Sequence, residues 1–450
     1  MAGQTNEREV ILDILLDIDK DGTYSHIAIS ETLKNYQFLD KKVRAFITRV
    51  VEGTIEYQLR IDYILNQFSK TKMKKCKPVI RTLLRMAAYQ ICFLDQVPDS
   101  AACNEAVKLA KKRGFSSLSG FVNGVLRNLA RKREEIVYPS EEKEPIEYLS
   151  IFYSMPKWIV EDWLSRYDYQ TVKAMLQAFL TENKTTIRCH TSKISPEELK
   201  MQLQEEGINV TSCPYVKEAF FIDGYNYMQR IKAFREGLFQ VQDQSSMLVV
   251  QVANPKEGDT VLDVCAAPGG KSLHCAEELK GTGLVIARDL TDYKVDLMQE
   301  NLERIGYKNM KIQRQDAKVL VEADREKADL VIADLPCSGL GILGKKNDIK
   351  YKMSKEQQKQ LVELQREILS VVWQYVKPGG TLLYSTCTIH YEENEGNRKW
   401  LLENFPLEEV SLDDRLPKEL WSDTTKEGYL QLLPGIHSCD GFFLAKFKRK

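Results

Sequence analysis

Two cysteines are set up for chemistry by their surroundings. Cys337 stands in Asp334-Leu-Pro-Cys337-Ser-Gly and Cys387 in Ser385-Thr-Cys387-Thr. Each motif closes a short apolar run, ADLVIAD in one case and TLLYS in the other, that reads as a strand. If the two strands are neighbours, about 4.8 Å apart, thiols separated by 50 positions in sequence meet over one pocket. One sulfur can then add to an electrophilic carbon while the other assists release of the adduct. A lone cysteine is usually a small core residue. Two of them on adjacent loops of one sheet reverse that reading.

A second constellation lies upstream. The strand-like run Thr260 to Val264 leads directly into Cys265-Ala266-Ala267-Pro268-Gly269-Gly270-Lys271. Small residues there let backbone amides approach a ligand, and the helix that follows presents its positive end. The loop is neither a Walker A sequence nor a G-x-G-x-x-G fingerprint, so phosphate is not its natural guest. Asp289 ends the second strand, where a carboxylate can accept hydrogen bonds from a ribose diol. Asp316 follows the third, within reach of an adenine, and Asp334 ends the fourth. Together they describe a nucleoside-bearing cofactor. Cys265 reads as a packing residue of the loop, and Cys275 as buried on the next helix.

These residues resemble a known family. CAAPGGKS, ADLPCSGLG, STCT followed by Glu393-Asn394-Glu395, and the closing Asp440-Gly441-Phe442-Phe443 are similar to the RNA cytosine-carbon-5 methyltransferases of the RsmB/Nop2/Sun group. The N-terminal part, with VNGVLRNL, resembles a NusB-type RNA-binding domain, and the resemblance spans nearly the whole chain. It implies S-adenosylmethionine as cofactor and a cytosine of small-subunit (16S) rRNA as substrate. Cysteine chemistry suits that substrate, because carbon 5 of cytosine is a poor nucleophile until a thiolate has added to carbon 6. By resemblance, Cys387 attacks, Cys337 assists elimination, and Asp334 bonds the cytosine edge and the cofactor side of the pocket. Cys265 through Lys271, Asp289, Asp316 and Asp334 contact the cofactor. The sequence departs from the family pattern at Arg288, where a small or apolar residue is usual, and at Asn347, where proline is usual. Those departures bear on the cofactor pocket and on RNA contacts at Lys345 to Lys352.

The elements that position these loops are legible as three folding regions. Residues 1–138 repeat apolar residues at helical spacing and predict an all-α, NusB-like domain; 139–156, polar and proline-containing, reads as a linker. Residues 157–250 mix helical stretches with strand-like TTIRCH, INVTSC, AFFI and GLFQVQD, a small α+β domain. From 251 to 450 short apolar runs alternate with helical patterns, which predicts a parallel, doubly wound, Rossmann-like sheet of the class I methyltransferase type.

Composition bounds the rest. With 450 residues, 43% hydrophobic and 28% charged, the chain has material for several cores. The net charge is zero, yet Lys41 to Arg133 holds 20 basic and 6 acidic residues, a basic module suited to RNA phosphates. Its clusters KTKMKKCK, KKR and RKR are the candidate contacts, while Phe220, Phe221, Tyr225 and Tyr227 read mostly as core. Ten cysteines without a C-x-x-C pair, and five scattered histidines, argue against zinc and a disulfide framework. No catalytic role is assigned to a histidine, although His390 lies close to Cys387. The polar N-terminus and the absence of a long apolar run predict a cytoplasmic protein without a membrane partner; a monomer without metal is expected.

Two other functions are disfavoured by the same residues. An RNA assembly factor with a decayed site would have lost Asp289, Asp316, Asp334, Cys337 or Cys387. Methylation of an amino group calls for an acidic residue or asparagine before Pro-Pro-aromatic, and DNA cytosine enzymes use a single Pro-Cys.

Overall fold

The computed structural model describes residues 6–181 and 184–450. It divides into two compact units. One holds the described residues up to Thr181 together with Leu343–Lys352, and the other holds those up to Ile342 and Met353–Lys450.

The first unit is helical, as its periodicity dictates. Seven longer helices, Glu7–Asp21, Ser25–Lys34, Lys41–Glu56, Gln58–Phe68, Pro78–Phe93, Asp99–Lys112 and Ser119–Arg131, surround one core. In Pro78–Phe93, Ile80, Leu83, Leu84, Ala87, Ala88 and Ile91 are buried, the stripe expected of a helix packed on several neighbours. Asn6 caps the first helix by accepting from the amides of Arg8 and Glu9, and Gly22 ends it at a φ of 66°. Gly53 is required by packing: a Cβ there would lie 2.0 Å from the ring of Tyr89.

Residues 139–156, expected as a linker, are folded onto this unit and contain the helix Pro145–Phe152. Arg60 pins them. Its Nε donates to the Tyr138 hydroxyl at 3.0 Å, and its guanidinium lies over the rings of Tyr138 and Phe152 at 4.9 and 4.3 Å. Helix Lys157–Leu164 packs on Pro145–Phe152, and Tyr169–Phe179 packs on Lys157–Leu164. Both therefore cluster with the helical unit, whereas the sequence reading joined them to the α+β region.

Leu343–Lys352 is anchored to these helices, with Leu343, Asp348 and Lys350 buried and Lys345 exposed. Asp348 accepts the Ser25 amide at 2.9 Å and Lys352 Nζ at 2.8 Å. Lys350 Nζ donates to the Glu56 carbonyl at 2.8 Å, Lys352 Nζ to the Thr23 carbonyl at 2.7 Å, and Asn347 Nδ2 to the Glu52 carbonyl at 3.1 Å. The Tyr351 hydroxyl lies 3.2 Å from Ser154 Oγ. Asp348 and Lys350 are thus buried structural groups of the helical unit.

The second unit contains two sheets. In the smaller, β1 (Thr185–Cys189), β2 (Asn209–Ser212), β3 (Ala219–Asp223) and β4 (Phe239–Val241) pair antiparallel in the order β2-β3-β1-β4. These are the four strand-like runs of the α+β region. Phe220 is in its core, while Tyr227 is partly exposed beside Arg230.

The larger sheet is built from β5 (Thr260–Asp263), β6 (Leu284–Asp289), β7 (Met310–Arg314), β8 (Ala328–Asp334), β9 (Val376–Thr386), β10 (Leu407–Glu409), β11 (Tyr429–Leu432) and β12 (Phe442–Arg449), in the order β10-β12-β9-β8-β5-β6-β7 with β11 also on β12. Strands β5 to β9 are parallel, as expected. β12 runs antiparallel beside β9, and β10 and β11 pair with it, so the sheet is mixed and not wholly parallel. Alternation puts successive side chains on opposite faces. On β8, Leu330 and Ile332 join one core and Val331 and Ala333 the other. Both faces are therefore covered, which the continuous apolar runs require. Among the described residues, no helix is long and apolar enough to cross a membrane.

Candidate active site

The sheet changes direction of winding between β5 and β8, and the loops beyond their carboxyl ends form the site, as strand order demands of such sheets. Asp334 at the end of β8 is level with Ser385 on β9. Each cysteine follows by two or three residues, and the Sγ atoms of Cys337 and Cys387 lie 3.3 Å apart. The hydrogen bond shared with Cys387, reinforced by burial, holds the Cys337 thiol well above the ordinary thiol range. Either sulfur can be the donor across that contact.

A network fixes both loops. The Ser338 amide donates to the Glu393 carboxylate at 2.9 Å, and Ser338 Oγ meets Thr388 Oγ1 at 2.7 Å. Glu393, fully buried, also accepts from Gln365 Nε2 at 2.9 Å and lies 3.2 Å from His390 Nδ1. Asn394 accepts from Thr386 Oγ1 at 2.5 Å and donates to the Thr388 carbonyl at 3.0 Å. Gln365 Nε2 reaches the Pro336 carbonyl at 2.8 Å. His390 thus belongs to the scaffold through Glu393. These positioning groups went unassigned from sequence. Glu393 and Asn394 carried a signal in the motif after STCT, whereas Gln365, a polar residue in the helix Lys355–Val372, carried none.

The cofactor loop follows β5. The amide of Ala266 donates to the Arg288 carbonyl at 2.9 Å, and that of Gly269 to the Ala266 carbonyl at 2.7 Å. Gly269, at a φ of 100°, starts the helix Gly270–Glu278, a conformation that suits glycine. Asp289 is buried and braces the loop: it accepts the Ala267 amide at 3.0 Å, the Leu290 amide at 2.8 Å and Lys294 Nζ at 2.9 Å. Asp316 lies just beyond β7 and accepts the Lys318 amide at 2.9 Å. Pro268 accepts from Asn301 Nδ2 through its carbonyl.

Lys271 is held differently from its neighbours. Its Nζ donates to Asp334 at 2.6 Å, and Asp334 also accepts from Ser385 Oγ at 2.7 Å. One ion pair thus ties the cofactor loop to the strand end that carries Cys337. Beneath them Asp263 is buried, accepting from Ser272 Oγ at 2.6 Å, and burial pushes its carboxyl up to about 7. Burial also raises the Cys265 and Cys275 thiols, which suits packing residues and not nucleophiles. Arg288 is turned toward structure: it donates to Gln313 at 3.0 Å and pairs with Asp324.

The donor set discriminates among cofactors. Three carboxylates at strand ends, Asp289, Asp316 and Asp334, would repel a phosphate but match a ribose diol, an amine or a sulfonium. The residues present therefore fit S-adenosylmethionine.

Comparison with known proteins bears on this chemistry. A probable ribosomal RNA small subunit methyltransferase B from Bacillus subtilis (strain 168) is 34% identical over 455 residues, covering 99% of this chain and 99% of its own. The chain belongs to the RsmB/F family of 16S rRNA methyltransferases. The family described as 16S rRNA methyltransferase RsmB/F matches residues 250–448, the NusB family matches 5–131, and the RsmF/B-like ferredoxin-like domain matches 155–228. A probable ribosomal RNA small subunit methyltransferase B from Synechocystis sp. is 31% identical, covering 98% of this chain and 99% of its own. The crystal structure of PH0851 superposes with a TM-score of 0.82 at 26% identity, covering 99% of each chain. Family membership makes the chain an S-adenosylmethionine-dependent methyltransferase with an N-terminal NusB-like domain and rRNA as the partner class.

Proposed function

We propose that this chain methylates carbon 5 of one cytosine in small-subunit (16S) rRNA through a covalent bond between Cys387 and carbon 6 of the base. The observation that carries this is the 3.3 Å separation of the two sulfurs beside Asp334. A thiolate at Cys387 adds to carbon 6 and makes carbon 5 an enamine carbon, nucleophilic enough to accept a methyl group. Bound S-adenosylmethionine supplies that methyl; Cys265 through Lys271, Asp289, Asp316 and Asp334 are the residues that would hold it. Asp334 orients the cytosine edge, and its pairing with Lys271 fixes its carboxylate in place. Water takes the carbon-5 proton, the released electron pair re-forms the 5,6 double bond and expels the Cys387 sulfur as a thiolate, and Cys337, 3.3 Å away, assists that elimination. The short separation of the two sulfurs lets one assist a bond made or broken at the other.

The helical domain is the proposed rRNA-anchoring part. Lys72, Lys74, Lys75 and Lys77 are exposed on a short segment pegged by buried Met73, whose amide donates to Asn66 Oδ1 at 2.8 Å. Phosphate contacts there would set position, while the pocket reads an unstacked base. We place this activity in the cytoplasm, carried out by a monomer. Incubation with labelled S-adenosylmethionine and a 16S rRNA transcript, followed by mapping of modified bases, tests the proposal: one 5-methylcytosine is expected, and methylation of an amino group or of no base contradicts it.

A further inference from the structure

Helix Gly270–Glu278 continues from the cofactor loop, and groups of the small sheet, in the same compact unit, grip one of its faces. Arg188 on β1 and His190 just beyond it are 1% and 0% exposed, and Glu277 in the last turn of the helix is 6% exposed. Arg188 pairs with Glu277 through Nη1. Glu277 also accepts the Ser192 amide at 3.0 Å and Ser192 Oγ at 2.9 Å, and lies 3.2 Å from His190 Nδ1. Burial opposes its ionisation, yet His190, Arg188 and Ser192 hold its carboxyl well below the usual carboxylate range. The same guanidinium reaches the start of the helix. Its Nε donates to Gln242 Oε1 at 3.1 Å. A Cβ on Gly270 would lie 3.6 Å from Gln242 Cδ, so the Gln242 side chain rests against Gly270. Gly270 and Glu277 are about two helical turns apart and share that face.

Replacing a buried ion pair with apolar side chains often costs a protein no stability, so stability alone does not call for Arg188 and Glu277. The small sheet also has a separate anchor: Arg304, on the helix Asp292–Ile305, donates to the carbonyls of Phe234 and Phe239 at 3.0 and 3.2 Å and to Gln240. What the paired guanidinium adds is register between β1 and the helix. We infer that Gln242, seated by Arg188 and Glu277, is a positioning residue for the cofactor loop, holding Gly270 and Lys271 in place for S-adenosylmethionine. Asp289 braces the loop from its other side, at Ala267. Binding groups need their supporting residues to hold them within about 0.5 Å of the productive geometry, and a site held ready loses less free energy to ordering when the ligand arrives. The α+β domain thereby contributes to binding of the methyl donor.

The test separates positioning from fold, in the full-length chain. Gln242→Ala removes the side chain that rests against Gly270. Arg188→Met combined with Glu277→Gln removes both buried charges together, so neither is left unpaired, and keeps an acceptor for Ser192. Three quantities are measured: the Kd for S-adenosylmethionine by calorimetry without RNA, kcat and KM on 16S rRNA at saturating cofactor, and the melting temperature. Both variants should bind S-adenosylmethionine roughly tenfold or more weakly, the scale of a small misplacement of binding groups, with kcat at saturating cofactor, KM for RNA and melting temperature near wild type. A purely structural role would instead lower the melting temperature and move every parameter together. Wild-type cofactor affinity in either variant overturns the inference, as does a loss of affinity that appears only with a collapsed melting temperature. A wild-type chain that binds no S-adenosylmethionine strikes the cofactor assignment, and one that binds it but methylates no cytosine strikes the proposed function, instead of this inference.

Discussion

The backbone amide of Gly341 is hydrogen-bonded to the carbonyl of Cys387 at 3.0 Å, so the two cysteine loops are joined through main chain as well as through their sulfurs. Gly441 completes the junction by donating its own amide to the Gly341 carbonyl at 2.9 Å. A Cβ on Gly341 would sit 1.9 Å from the Gly441 oxygen and 2.8 Å from that of Cys387. No side chain fits without backbone movement.

Gly341→Ala should therefore cost about 1–3 kcal/mol of stability, the usual range for overpacking, and lower methylation by roughly 100-fold through loop displacement. Thermal melts and single-turnover assays check both. A variant with wild-type turnover would show that the junction does not place the sulfurs.

Glu393 gathers Ser338, Gln365 and His390 on one buried carboxylate. Glu393→Ala leaves buried donors without an acceptor, each worth about 1–3 kcal/mol, so a loss of about 3–5 kcal/mol is expected by urea denaturation. Glu393→Gln retains an acceptor oxygen and should lose about half as much. Equal losses would mean that the packing volume matters more than the acceptor.

Asp263 makes stability depend on pH with a definite sign. Its folded value, raised to about 7 chiefly by burial and opposed by Ser272 and Lys271, lies above that of an unfolded aspartate. The unfolded chain releases this proton first. The contribution is complete below about pH 4 and is lost as pH rises through about 7, at up to about 1.4 kcal/mol per pH unit. Asp263→Asn should flatten the decline between those values in pH-dependent unfolding; an unchanged slope would refute the assignment.

Replacing Lys74, Lys75 and Lys77 with Gln should weaken RNA binding and reduce the slope of log affinity against log salt by about 2, given roughly 0.7–0.9 per phosphate contact. Cofactor binding should not change. A salt slope equal to wild type would place the RNA elsewhere.

Strands β5 to β9 were legible because each is a short apolar run ending in a turn or a polar loop, and Asp289, Asp316, Asp334, Cys337 and Cys387 mark where four of those strands stop. The antiparallel direction of β12 is not legible, since FFLAKFKR contains nothing that states it. The buried seats of Asp348 and Lys350 are not legible in the sequence, because a charged residue is ordinarily a surface residue and their partners, Ser25 and Glu56, are separated from them by most of the chain. The helix within residues 139–156 is hidden for a related reason. Proline and acidic residues mark a break in helical periodicity, but Arg60, which folds that break back onto the helices, lies almost 80 positions or more upstream of Tyr138 and Phe152.

The covalent step is tested most directly by comparing wild type, Cys337→Ala and Cys387→Ala with S-adenosylmethionine and 16S rRNA on denaturing gels. The account predicts that Cys337→Ala accumulates a protein–RNA adduct, because attack proceeds while elimination stalls, and that Cys387→Ala gives neither adduct nor 5-methylcytosine. An adduct that survives in Cys387→Ala and disappears in Cys337→Ala would contradict it.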